Sequence, residues 1–389
     1  MWETFFDTEL NSLEEKGLLR QLSALPETGG SIILDGKNTL NFSSNDYLGL
    51  ANDPRLKDAA VGAIEQYGNG ATASRLLAGH LELHEQLEEA LARIMGTESA
   101  LVFGSGFLTN VGLISAIARP EDEIFSDWLN HASIIDGIRL SHAHAYRYKH
   151  KDLDHLESLI KKRRNTGKAI VISESLFSMD GDIAPVKDLV ALADRYDALS
   201  IIDEAHAIGV MGKNGGGICR VTGNTCHPGI VVGTLSKALG GYGGFVACSD
   251  SIRRFLINRA RTFIYSTGLP PACLGSGLAA ASIVLSRPAL GRKLLDKSRK
   301  FHTLLFEVGL QVPSFESQII PVIIGSNNKT IAFTNLLVER GLLIRPVRPP
   351  TVPVGTARVR LSITLSMSDR ALQKAAGIIA DCARKVDII

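Results

Sequence analysis

Two residues have a spacing and setting that suit one kind of chemistry. Asp203 ends the run Ile201-Ile202-Asp203, and Lys237 closes Gly233-Thr234-Leu235-Ser236-Lys237. Pyridoxal 5'-phosphate needs an amine to hold its aldehyde, which Lys237 offers. It also needs a carboxylate to keep its ring nitrogen protonated, which Asp203 offers. A lysine taken alone is most often a solvated surface residue. Lys237, however, sits between an apolar run, Ile230-Val231-Val232, and the glycine-rich stretch Gly240-Gly241-Tyr242-Gly243-Gly244. Asp203 alone would be an ordinary strand-end residue; the pair together carries the reading.

Gly104-Ser105-Gly106-Phe107 lies between a predicted strand and a predicted helix. Glycines let backbone approach a phosphate, and a helix N-terminus supplies free N–H groups and positive potential. A glycine turn required only for packing is equally common. The dinucleotide pattern fails here because its third small position is Thr109, and Gly68-x-Gly70-x-x-Ala73 follows a predicted helix instead of a strand. Gly36-Lys37, Gly167-Lys168 and Gly212-Lys213 lack the following Ser or Thr of a P-loop. His131, beside a strand end, could stack on a pyridine ring, although a lone histidine is usually structural. His206, three residues past Asp203, could reach the cofactor's 3-oxygen.

The elements that must position these residues follow a repeating order. From residue 99 onward, short apolar strands alternate with helices: 100–103, 124–125, 145–148, 169–172, 199–202, 230–232 and 244–247 read as strands. This predicts an α/β fold with a mostly parallel central sheet covered by helices, binding its ligand at the carboxyl ends of the strands. Before it, a helix is expected over 10–22 and a hairpin turning at Asp35-Gly36. Asn52-Asp53-Pro54 should start one helix, and Gly96 should stop another that begins at His80. After about residue 285 the pattern becomes a smaller α+β region. The expected divisions are 1–50, an N-terminal segment; 51–285, a large cofactor-binding domain; and 286–389, a C-terminal domain.

With 389 residues, 45% of them hydrophobic, the chain has the size and composition of a multidomain α/β enzyme. A formal net charge of +2 is too small to imply nucleic acid or a membrane surface, and neither is expected as a partner. The basic run Lys161-Lys162-Arg163-Arg164 reads as a solvated helix end. Five cysteines, an odd number with no Cys-x-x-Cys pair, point away from a disulfide framework or a zinc site and toward the cytoplasm. No metal is expected. The stretch from Met1 to Arg20 has no signal-peptide core, and no run of ~18 apolar residues is present.

The ordered motifs Asn41-Phe42-Ser43-Ser44-Asn45-Asp46-Tyr47-Leu48-Gly49-Leu50, Leu129-Asn130-His131-Ala132-Ser133, Glu174-Ser175-Leu176-Phe177-Ser178-Met179-Asp180-Gly181-Asp182 and Asp203-Glu204-Ala205-His206 resemble the α-oxoamine synthases. Ile264-Tyr265-Ser266-Thr267, followed by Pro270-Pro271, fits as well. These are fold-type-I pyridoxal-phosphate transferases that join an amino acid to an acyl thioester with loss of carbon dioxide. The segment from Arg348-Pro349-Pro350 to Arg358 is most similar to the branch that uses L-alanine and a pimeloyl thioester, carried on coenzyme A or on an acyl-carrier protein. Glycine-dependent, aminolevulinate-forming and sphingoid-base-forming members are the alternatives. A non-catalytic protein that keeps the fold is a further alternative, disfavoured by the intact Asp203 and Lys237.

The resemblance implies roles. Lys237 would carry the cofactor, Asp203 pair its ring nitrogen and His131 stack on its ring. Ser178 and His206 would bond its 3-oxygen. Ser105, Gly106, Phe107 and Thr234 would hold its phosphate. Ser266 and Thr267 would reach the phosphate of a partner subunit, implying a homodimer. Asn45 and Arg358, with Glu174 nearby, would meet the substrate carboxylate, and Arg20 the acyl substrate. One departure stands out: the run before Ser74-Arg75, glycine-rich in the family, is Gly70-Ala71-Thr72-Ala73 here.

Overall fold

The computed structural model describes residues 2–34, 36–163, 167–221 and 226–389. Asp35 of the expected hairpin turn and Arg164 of the basic run lie outside the described residues. In chain order the strands are β1 (Ser31–Leu34), β2 (Lys37–Asn41), β3 (Ser99–Phe103), β4 (Glu123–Asp127), β5 (His144–Tyr148), β6 (Ala169–Glu174), β7 (Ala198–Asp203), β8 (Ile230–Thr234), β9 (Gly244–Cys248), β10 (Ile319–Gly325), β11 (Leu342–Leu343), β12 (Pro346–Val347) and β13 (Ala357–Ser362).

The chain forms two compact units. The larger comprises 46–178 and 182–293 and is built on a seven-stranded sheet of order β3-β9-β8-β7-β6-β4-β5. β5, β4, β6, β7 and β8 pair in parallel, while β9 pairs antiparallel with both β8 and β3. Only β9 therefore runs against the others. Every residue of β4, β6, β8 and β9 is buried, as expected for strands covered on both faces. Ile124, Ile170, Ile172, Ile201, Ile230 and Val232 belong to one apolar core. Phe125, Val171 and Ile202, which alternate with them, belong to another. The period-2 pleat thus splits β4, β6 and β7 between two cores.

Local signals set the helix ends. Asp53 caps Pro54–Tyr67, accepting from the Arg55 N–H, and Gly96 ends Glu82–Met95 in the left-handed region at φ 69°. Ser105 caps Gly106–Ile117, its hydroxyl accepting from the Leu108 N–H at 3.2 Å. Helix Pro271–Ser286 packs against Pro54–Tyr67 and Glu82–Met95 and was not legible as a helix. It is apolar nearly all round, so it carries no amphipathic period.

The smaller unit comprises 1–45, 179–181 and 294–389. The first fifty residues therefore do not form a separate part. β1 and β2 form the hairpin, and β2 also pairs in parallel with β11, Leu40 opposite Leu342, which ties the N-terminal segment to the C-terminal region. β10, β13 and β12 make a second antiparallel sheet. The helix expected over 10–22 instead spans Trp2–Glu15. Gly17, at φ 61°, ends it, and Trp2, Phe5 and Phe6 form an aromatic cluster at its start. No single helix among the described residues is long and apolar enough to cross a membrane.

Candidate active site

A cavity of about 170 Å³ opens along the carboxyl edge of the seven-stranded sheet. Parallel strands present their C-terminal ends together there, so residues far apart in sequence converge. β3 delivers Ser105, Gly106 and Phe107; β4 and its following turn deliver His131; β6 delivers Glu174; β7 delivers Asp203 and His206; β8 delivers Thr234 and Lys237. All nine were legible in the sequence, and all line this one cavity.

Asp203 ends β7 and is 7% exposed. Its Oδ1 accepts from the Ala205 N–H at 2.9 Å, and its Oδ2 accepts from Asn110 Nδ2 at 2.8 Å. Glu174 is its direct neighbour across the β6–β7 register. Burial, and then the Asp203 charge beside it, push the Glu174 carboxyl up to about 8, with Lys237 opposing the rise. The Glu174 N–H donates to Asn130 Oδ1 at 3.0 Å, and Asn130 Nδ2 donates to Ser126 Oγ and to the Ile172 carbonyl, both at 2.9 Å. One buried amide therefore fastens the His131 turn to β6.

His131 caps helix Ala132–Ser141, its Nδ1 accepting from the Ser133 N–H at 3.2 Å. Burial holds its imidazole below the usual value, against the pull of Asp203. Phe107 meets it edge-on with ring centroids 6.4 Å apart. His206 Nδ1 lies 2.7 Å from the Tyr47 hydroxyl. Glu204 follows β7 directly and, unlike Asp203, is not among the cavity's lining residues. The Glu204 carboxylate is fully buried and accepts from the Ser175 hydroxyl and from the N–H groups of Ile218 and Cys219 at 2.5, 3.0 and 2.8 Å, fastening the loop after β7.

The lysine turn is fastened by Thr234, whose hydroxyl donates to the Gly243 carbonyl at 2.9 Å and accepts from the Ser236 N–H at 3.2 Å. Gly106, at the first turn of its helix, faces this threonine: a Cβ there would stand 3.5 Å from Thr234 Oγ1 and take up space between the helix N-terminus and the lysine turn. Early helical N–H groups have no intrahelical acceptor. The cavity thus offers an amine, a carboxylate, a flat imidazole and an N–H-rich end suited to a phosphate, a donor set that fits pyridoxal 5'-phosphate.

Other predicted residues stand apart. Ser178, Ser266 and Thr267 belong to the larger unit but are not among the cavity's lining residues. Ser266 Oγ turns to the Thr267 carbonyl at 3.4 Å, and Thr267 bridges to Ser74. Arg20, Asn45 and Arg358 belong to the smaller unit. There Arg358 pairs with Asp180 at 2.5 Å and donates to the Thr356 carbonyl at 3.0 Å. Asn45 accepts from Arg360 at 2.9 Å. Exposed Arg20 reaches Thr351 Oγ1 at 3.4 Å.

Asn110, Ser133 and Ser236 also line the cavity, and sequence reasoning missed them. Asn110 had one available signal. It is a polar residue one helical turn after Gly106 in a mostly apolar helix, so it shares that glycine's face.

The sheet order and its edge of converging residues are those of fold-type-I pyridoxal-phosphate transferases, and the chain belongs to the aminotransferase class I and II family, whose profile matches residues 37–379. It is similar over nearly its full length to the 8-amino-7-oxononanoate synthase of Geobacter sulfurreducens, 43% identical over 384 residues covering 98% of each chain. Its fold is similar to a serine palmitoyltransferase variant from S. paucimobilis solved with a bound PLP–myriocin aldimine, at TM-score 0.93 and 28% identity over 99% of this chain and 98% of that one. It is also similar to the 8-amino-7-oxononanoate synthase of Francisella tularensis, at TM-score 0.76 and 30% identity over 90% and 99% of the two chains.

Proposed function

We propose that this enzyme makes 8-amino-7-oxononanoate in biotin biosynthesis, condensing L-alanine with a pimeloyl thioester and releasing carbon dioxide and free thiol. The observation that carries the reading is the convergence of Lys237, Asp203 and His131 on one cavity, in a chain 43% identical to a synthase of that name. Coenzyme A and acyl-carrier protein are both compatible acyl carriers.

Pyridoxal 5'-phosphate, when bound, would supply an electron sink for chemistry at the alanine Cα. The side chains divide the remaining work. Lys237 Nζ would hold the cofactor, and its amine lies where it could take a proton from the alanine Cα as a general base. Asp203 keeps a negative charge at the ring-nitrogen end. His131 would cover one ring face. His206, oriented by Tyr47, and Ser178 are assigned to the 3-oxygen. Ser105, Gly106, Phe107 and Thr234 are assigned to the phosphate, where a helix N-terminus favours an anion.

Arg358 and Asn45 are assigned to the alanine carboxylate and Arg20 to the acyl substrate. Neutral Glu174 adds no second charge beside Asp203 and can donate a hydrogen bond. Ser266 and Thr267 are assigned to a partner subunit's phosphate, which makes the working form a homodimer. Five unpaired cysteines suit the cytoplasm.

The deciding experiment is mass spectrometry of the product formed from alanine and a panel of acyl thioesters. 8-Amino-7-oxononanoate from the pimeloyl thioester is expected. A product formed only from glycine or serine would replace this reading with another α-oxoamine synthase.

A further inference from the structure

We infer that Asn110 is a positioning residue that holds the Asp203 carboxylate and the His131 imidazole in their working states through a single amide. The inference rests on the function proposed above, in which both residues meet the cofactor ring.

Asn110 is 2% exposed and donates from the same Nδ2 to Asp203 Oδ2 at 2.8 Å and to Ser133 Oγ at 3.0 Å. Ser133 Oγ in turn lies 2.8 Å from His131 Nδ1. The directions of these bonds can be worked out. The Ser133 N–H already donates to His131 Nδ1 at 3.2 Å, so Nδ1 carries no proton. The Ser133 hydroxyl must then donate to Nδ1 and accept from Asn110. An ionised Asp203 only accepts, which uses the other Asn110 N–H. The reverse amide orientation would set an oxygen against that carboxylate. Asn110 Oδ1 is itself buried with no hydrogen-bond partner among the described residues, so the network is built from the donors. A chain of donors ending on Nδ1 leaves Nε2 as the protonated nitrogen and opposes a second proton on the ring.

The groups that face His131 are Asp203, Lys237 and Asp136, together with Glu174, which accepts from the His131 backbone N–H. Of these, Asp203 and Asp136 favour a charged imidazole, and Lys237 disfavours it. The hydrogen-bond chain through Asn110 and Ser133 acts in the same sense as Lys237. Without the Asn110 donor, Ser133 Oγ can turn to accept from a protonated Nδ1.

The test is NMR titration of histidine-labelled, cofactor-loaded enzyme, with His131 assigned by its loss in His131→Asn. Asn110→Leu should raise the His131 pKa by about one unit, a tenfold change in its protonation equilibrium. It should also lower kcat about tenfold with little change in the KM for alanine. Ser133→Ala should raise the His131 pKa as well. In the double variant the Asn110 change should add almost nothing further at His131, because its effect passes through Ser133. A His131 titration unchanged in Asn110→Leu, or fully additive effects in the double variant, would overturn the inference. If Asn110→Leu does not fold, an unchanged titration in Ser133→Ala overturns it alone. Absence of bound-cofactor absorbance in the unmodified protein would instead overturn the proposed function, and with it any role of Asn110 toward the cofactor.

Discussion

Glu174 and Asp203 stand side by side at the ends of β6 and β7, paired in register, both buried and both lining one cavity. Two carboxyls this close do not share negative charge readily. The side chains around them split their roles: Asp203 accepts from Asn110 and from the Ala205 N–H, while burial and its neighbour keep Glu174 protonated up to about 8.

This predicts a pH effect on stability. The Glu174 carboxyl titrates near 4.5 when unfolded and about 8 when folded. Between those values the folded state binds the extra proton, so stability falls as pH rises through the window. Glu174→Gln cannot titrate and should lose that slope. Melting temperatures taken from about pH 5 to pH 9 should fall less steeply in the variant, by at least about 2 °C, which corresponds to roughly 1 kcal/mol in a domain of 150–250 residues. Parallel curves for the two proteins would show that Glu174 is already ionised in the folded state.

Lys237→Ala should abolish turnover and remove the absorbance of the bound cofactor. No other lysine among the described residues lines the cavity, so none there can stand in. The check is a visible spectrum together with a product assay. Survival of both signals would place the cofactor amine elsewhere.

Asp203→Asn should keep the side-chain shape while losing the charge assigned to the ring nitrogen. Exchange of the alanine Cα proton with deuterated solvent should slow by about 100-fold or more, the scale of losing a preorganised electrostatic group. Proton NMR of alanine in heavy water measures it. Exchange at the unmodified rate would remove Asp203 from the reaction.

Arg358→Lys tests the proposed carboxylate site. A lysine cannot copy the planar fork of arginine, so alanine binding should weaken by about 1.5–3 kcal/mol. Because Arg358 also pairs with Asp180, melting temperature must be followed alongside a spectral alanine titration. Weakened alanine binding with an unchanged melting temperature supports the substrate role. A lowered melting temperature with unchanged alanine affinity assigns Arg358 to the structure of its own unit.

Much of this protein is legible in its residue order. Short apolar runs of two to four residues mark the strands, because a strand buried on both faces shows no alternation and still differs in length from a helix. Asp53, Gly96 and Ser105 mark helix ends through capping chemistry that acts within one turn. Lys237 and Asp203 stand out because an amine and a carboxylate flanking buried strands are costly unless used. Tertiary structure decided what depends on neighbours distant in sequence. The union of residues 1–45 with 294–389 comes from the pairing of β2 with β11. Helix Pro271–Ser286 is buried by its neighbours and needs no polar face to reveal it. Asn110 and Tyr47 acquire their partners only when the fold brings Asp203 and His206 within hydrogen-bonding distance. The elevated Glu174 carboxyl has the same origin, since a parallel register with no local sequence signal places it beside Asp203.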